Sequence, residues 1–138
     1  MGQDLFKGSV RAKLDRMGAG MRVLHKALID VTQHEYERAH GKVKSPYQLF
    51  ALVAQDPAFA WLQPMTRLIV EIEDVVGRPL PPPAKADLVE LRKKVDQLLV
   101  TVGEPFSTRY LALIQSSPEV AAEHGRFQGV LHDIDAGR

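Results

Sequence analysis

The chain has no cysteine among its 138 residues. Disulfide staples, zinc–thiolate sites, iron–sulfur clusters and cysteine nucleophiles are therefore excluded. Nor is there an excess of one charge: 18 Lys and Arg stand against 17 Asp and Glu, for a net charge of +1. That balance argues against a strongly basic nucleic-acid binder and against an acidic solvating chain, so nucleic acid is not an expected partner. No uninterrupted apolar run approaches the roughly 18 residues that a membrane span needs, so no membrane partner is expected. Met1–Lys7 lacks the apolar core of a signal peptide. Phe6 stands where acylation of Gly2 would need Ser or Thr. The expected location is cytoplasmic.

Catalytic motifs are missing as well. There is no nucleophile elbow, no P-loop and no dinucleotide fingerprint. His34-Glu35 opens like a zinc-protease motif, but Arg38 stands where the second histidine is needed. No period-two alternation is long enough for a strand, and no hairpin signal occurs.

What is present is ordinary globular composition, 45% hydrophobic and 25% charged, at one-domain length. Residues 1–138 are read as a single domain. Val10, Leu14, Met17, Met21, Leu24, Leu28 and Val31 recur at spacings of four and three. That is an apolar seam at heptad period, on a helix over 9–40 ended by Gly41. At about 1.5 Å per residue the helix would be roughly 46 Å long. A domain of this size spans roughly 37 Å. Either the helix breaks at Gly18-Ala19-Gly20, or these glycines flank the seam and admit another backbone.

Ser45-Pro46-Tyr47-Gln48 carries a capping box and starts a short helix. Asp56-Pro57 starts the next, over 57–76, with Pro64 expected to kink it. Gly77 to Pro83 is a proline-rich connection. Its Arg78-Pro79-Leu80-Pro81-Pro82 begins like an SH3 ligand, but Ala84 replaces the last required proline. The favoured reading there is a stiff connection. Leu88, Leu91, Val95, Leu98 and Val102 give a second stripe, on a helix over 84–102. Pro105 to about Gln115 is a further short helix. Val120, His124, Phe127, Leu131 and Ile134 mark the last main one, over 118–134, with 135–138 expected to fray. The expected fold is all-α: an antiparallel bundle of four main helices (9–40, 57–76, 84–102 and 118–134) with one or two short helices.

Without cysteine, metal chemistry falls to histidine and carboxylate. Glu37-Arg38-Ala39-His40 puts two ligands on one helical face, the spacing that di-iron carboxylate bundles use twice. This chain has it once. His124 sits in an apolar stripe, where an imidazole needs a partner. His25 beside the first seam is the ligand to look for opposite it. The candidate set for a divalent metal ion is His25, Glu37, His40 and His124. Phe50, Phe59 and Trp61 form a candidate apolar pocket around two helix starts. The first 26 residues hold Lys7, Arg11, Lys13, Arg16, Arg22 and Lys26 against Asp4 and Asp15, while Glu71, Glu73 and Asp74 gather later.

The leading expectation is a non-catalytic bundle acting by protein–protein contact, as a homodimer, without a cofactor. Its seam would be Leu14, Met17, Met21, Leu24 and Leu28. The alternative is a bundle that holds a metal ion or small ligand between helices through histidine and glutamate.

Overall fold

In the computed structural model, which describes residues 8–138, helix begins wherever a cap and a proline coincide. The helices are α1 (Val10–His40), α2 (Pro46–Gln55), a 3-10 helix (Pro57–Leu62), α3 (Gln63–Val76), α4 (Lys85–Val100), α5 (Pro105–Ser116) and α6 (Pro118–Asp135). Among the described residues 82% are helical and none forms a strand. The Ser9, Ser45 and Ser117 hydroxyls each accept a backbone N–H from the first turn of α1, α2 and α6. Such caps satisfy donors that have no partner inside the helix. α1 ends at Gly41, whose φ of 86° is the left-handed conformation that glycine adopts freely. The expectations for Met1–Lys7 lie outside the described residues.

α1 does not break. It runs through Gly18-Ala19-Gly20 as one helix, and the glycines serve close packing instead. A Cβ on Gly20 would lie 2.8 Å from a ring carbon of Phe127 in α6, and one on Gly18 would lie 3.1 Å from Ile72 in α3. The two glycines thus let α6 and α3 approach opposite flanks of α1.

The five residues read as a dimer seam are the middle of the chain's own core. Leu14, Met17, Met21 and Leu28 are 0% exposed and Leu24 is 1% exposed. Met65, Leu68, Ile69 and Ile72 of α3 cover them, with Val120, Phe127, Leu131 and Ile134 of α6. Phe59 and Leu62 of the 3-10 helix, Leu91, Val95 and Leu99 of α4, and Phe106, Tyr110 and Leu113 of α5 complete the same cluster. A second copy therefore has no access to the seam. Toward its end the buried stripe passes from Leu28 to Thr32, leaving Val31 half-buried. A helix of 3.6 residues per turn drifts against a strict seven-residue repeat, and the fourth residue comes round to the core.

Three boundaries differ from expectation. Residues 57–62 wind as a 3-10 helix, so Pro64 falls in the first turn of α3, where its missing N–H costs nothing. α4 stops at Val100 with Thr101 as its cap, so Val102 leaves the stripe and is 97% exposed. The tail over 135–138 is tied down: Ala136, Gly137 and Arg138 donate backbone bonds into the end of α6, and Arg16 reaches the Arg138 carbonyl at 2.6 Å.

Part of the uneven charge is paired within the chain. Arg22 meets Glu73 at 2.7 Å, Lys94 meets Glu71, and Arg11 bonds the carbonyls of Val76 and Arg78 at and beyond the end of α3. A cation there is favoured by the partial negative charge of a helix C-terminus. In the proline-rich connection Leu80–Pro81 is cis, and Arg78 turns inward to the Pro81 carbonyl and to Asp87. The basic anchor of the SH3-like motif is thus engaged by its own chain.

Candidate functional site

The four candidate metal ligands do not converge. His25 on α1 faces Thr66 of α3, with Nε2 3.1 Å from the hydroxyl. Burial there lowers its pKa below the ordinary 6.5 and keeps the imidazole neutral. Glu37 accepts the Val43 backbone N–H at 2.8 Å and so holds the turn after α1. His40 is exposed and packs on Tyr36, ring centroid to ring centroid 4.5 Å. His124 on α6 lies 2.6 Å from the Tyr110 hydroxyl of α5 through Nδ1. Among the described residues no group of three or more His, Asp or Glu side chains is arranged to hold a metal ion.

The candidate apolar pocket separates in the same way. Phe59 is fully buried, Phe50 is 78% exposed on α2, and Trp61 lies between. Trp61 is held by three contacts. Its indole N–H donates to Thr32 at 3.2 Å, and Thr32 in turn donates to the Leu28 carbonyl. The Arg109 guanidinium sits 4.5 Å over the ring and pairs with Glu35 at 2.9 Å. This is a cation–π contact fixed by an ion pair. From Trp61 the aromatic contacts run through Phe106 and Tyr110 to His124, with centroid separations of 5.3, 5.9 and 5.5 Å. On its outer side Trp61 lines an open groove of about 950 Å³, with Leu68, Leu98 and Phe106 below and Arg67, Glu71, Lys94 and Glu104 around it.

Two further surfaces of apolar side chains stand open among the described residues. The first is α2, where no residue is fully buried. Leu49, Leu52 and Val53 turn toward the 3-10 helix and the core, while Tyr47 is 88% and Phe50 78% exposed. Ala51 and Ala54 lie on the same face, Ala51 exposed. At 100° per residue, positions 47, 50, 51 and 54 share one side of a helix. The helix over 46–55 carries no charged residue at all. The capping box that marks this helix in the sequence says nothing of its second apolar face; that face shows only once the first is seen to be occupied.

The second surface is the corner between α4 and α5. Leu99, Val100, Val102, Leu111 and Ile114 line a groove of about 400 Å³ together with Thr101, Gly103, Ser107, Thr108, Tyr110 and His124. None of these side chains is formally charged with His124 neutral. Val100 is 64% and Leu111 56% exposed at its rim. Burial raises the Tyr110 pKa well above its ordinary value of 10 and lowers that of His124. The phenol therefore keeps its proton and the imidazole stays neutral. The pair is then a bond between two neutral groups, in which a hydroxyl that donates to Nδ1 satisfies the buried phenol proton. In that arrangement the imidazole carries its proton on Nε2. Of the expected metal ligands His124 alone faces this groove, and its partner is Tyr110.

No helix among the described residues is long and apolar enough to cross a membrane. Compared with known proteins, the chain matches no family profile, no curated protein and no solved structure.

Proposed function

We propose that the protein is a non-catalytic bundle of four main antiparallel helices that acts in the cytoplasm through protein–protein contact, as a homodimer joined through α2. The observation that carries this reading is the exposed, uncharged aromatic face of α2, with Tyr47 and Phe50 in solvent. Interface cores are enriched in aromatics and depleted of charge. Scattered surface hydrophobics are ordinary, but two large aromatics one turn apart on an uncharged helix form a contiguous patch.

A second copy is the occupant that fits best. A two-fold interface sets a patch against itself, and a patch without charge meets no repulsion there. With antiparallel α2 helices and the dyad between positions 50 and 51, Tyr47 falls opposite Ala54 and Phe50 opposite Ala51 of the second copy. Large side chains meet small ones, the arrangement that lets helices pack closely. The same register brings Lys44, before the helix, near Asp56, after it, on the other copy.

Sedimentation equilibrium of the full chain across a concentration series tests the proposal. The wild type is expected to be dimeric at tens of micromolar. Phe50→Asp is expected to be monomeric, with its far-UV circular dichroism unchanged. A wild type that stays monomeric, or a Phe50→Asp variant that still dimerises, overturns the reading.

A further inference from the structure

The groove at the α4–α5 corner lies on other elements than α2, and its chemistry is independent of the dimer. Its volume of about 400 Å³ falls within the roughly 300–1,000 Å³ of small-molecule sites. Two features decide what fits it. The first is the charge of its lining, which is nil. An ionised group placed among Leu99, Val100, Val102, Leu111 and Ile114 would lose hydration without finding a counter-charge. The lining therefore selects against carboxylates and amines.

The second feature is the Tyr110–His124 pair. Nδ1 of His124 lies 2.6 Å from the tyrosine hydroxyl, and His124 also lines the groove; with the hydroxyl donating to Nδ1, the second ring nitrogen, Nε2, is the N–H donor. Tyr110 is 1% exposed and fixes the ring from the core side. Its own position is set by Phe106, which stacks on it. The groove thus offers an aliphatic wall and an oriented neutral N–H. Small-molecule sites combine these same two elements, an apolar lining and a few placed polar groups.

We propose that the α4–α5 groove binds an uncharged aliphatic molecule carrying one hydrogen-bond acceptor. Val100, Val102, Leu111 and Ile114 would surround the chain, and His124 Nε2 would donate to the acceptor. Ketones, esters and amides with a short alkyl chain are the class this describes. The site is selective against the corresponding acids.

Methyl-resolved NMR titration of the full chain, with 2-octanone and octanoate as matched probes, tests the proposal. The ketone is expected to give saturable shifts in the Val100, Val102, Leu111 and Ile114 methyls. Octanoate is expected to bind at least about tenfold more weakly, since its carboxylate finds no cation there. Leu111→Asp, at a half-exposed site, is expected to abolish ketone binding while helicity is unchanged. His124→Phe keeps the apolar wall and removes the donor, and it is expected to weaken the ketone severalfold, about the effect of one neutral hydrogen bond. No saturable shift overturns the proposal, as does octanoate binding as tightly as the ketone, or shifts confined to the Trp61–Phe106 groove. If His124→Phe does not fold, the ketone-to-acid contrast and Leu111→Asp still decide the question.

Discussion

α1 and α2 both present aromatic or aliphatic side chains at helical spacing, yet they end in opposite environments. Along α1 the stripe from Leu14 to Leu28 is sealed by α3 and α6. Along α2 the stripe of Tyr47, Phe50, Ala51 and Ala54 is open to solvent, because Leu49, Leu52 and Val53 on the other side already make the contacts that hold the helix down. Periodicity reports that a face is apolar. It does not report what covers that face. In α1 the cover is supplied within the chain by two long helices. In α2 a ten-residue helix with apolar residues on two sides has only one neighbouring layer to bury them against.

The sharpest way to test that contrast is to truncate one residue from each stripe. Leu24→Ala is expected to destabilise the fold by about 3 kcal/mol, the usual cost of a cavity in a sealed core. Phe50→Ala is expected to change the unfolding free energy of the monomer by less than about 0.5 kcal/mol, as an exposed site should. Urea titrations at low protein concentration measure both. Similar losses at the two positions would break the comparison.

Glycines extend it to the helix flanks. Gly20→Ala gains helix propensity but drives a methyl into the Phe127 ring, and a net loss of about 1 kcal/mol is expected. Gly129→Ala, in the interior of α6 with no described neighbour within 4 Å of its would-be Cβ, is expected to gain up to about 1 kcal/mol. The two substitutions are chemically identical, and opposite shifts in Tm would show that contact decides their sign.

The smallest effect concerns pH. His25 and His124 both have pKa values lowered by burial. The unfolded chain takes up protons near the ordinary 6.5, whereas the folded chain resists them to lower pH. Stability is therefore expected to be level above pH 7 and to fall as pH drops through about 6.5 toward the folded values. Denaturant midpoints between pH 5 and 8 measure this. His25→Gln is expected to remove part of the slope, and a slope of opposite sign would contradict the neutral buried imidazoles.

Much of the fold is legible in the sequence, for identifiable reasons. Ser45 and Asp56 announce helix starts because capping is a local matter of one side chain and one backbone N–H. The stripes of α1 and α6 are legible because periodicity is local as well. The role of Gly18 and Gly20 is not, since whether a glycine breaks a helix or admits a neighbour depends on what lies opposite. The stripe of α4 runs on to Val102 in the sequence, two residues past the end of the helix, and so it hides the exposure of Val102. The candidate sites are less legible still. His124 stands out correctly as an imidazole needing a partner, but Tyr110 lies on a separate helix and nothing in the sequence joins them. His25, Glu37 and His40 share only a residue type suited to metals, and each serves its own local contact.

The chain has a single tryptophan. Because Trp61 bonds Thr32 of α1, carries Arg109 of α5 on its face and touches Phe106, its indole stands where α1, the 3-10 helix and α5 meet. The molecule thus contains its own optical gauge. Emission excited at the red edge of the indole band reports the joint between α1 and α5, with no label and no other fluorophore competing. A change confined to the outer face of α2 should leave that signal untouched, and one that loosens α5 from α1 should move it first.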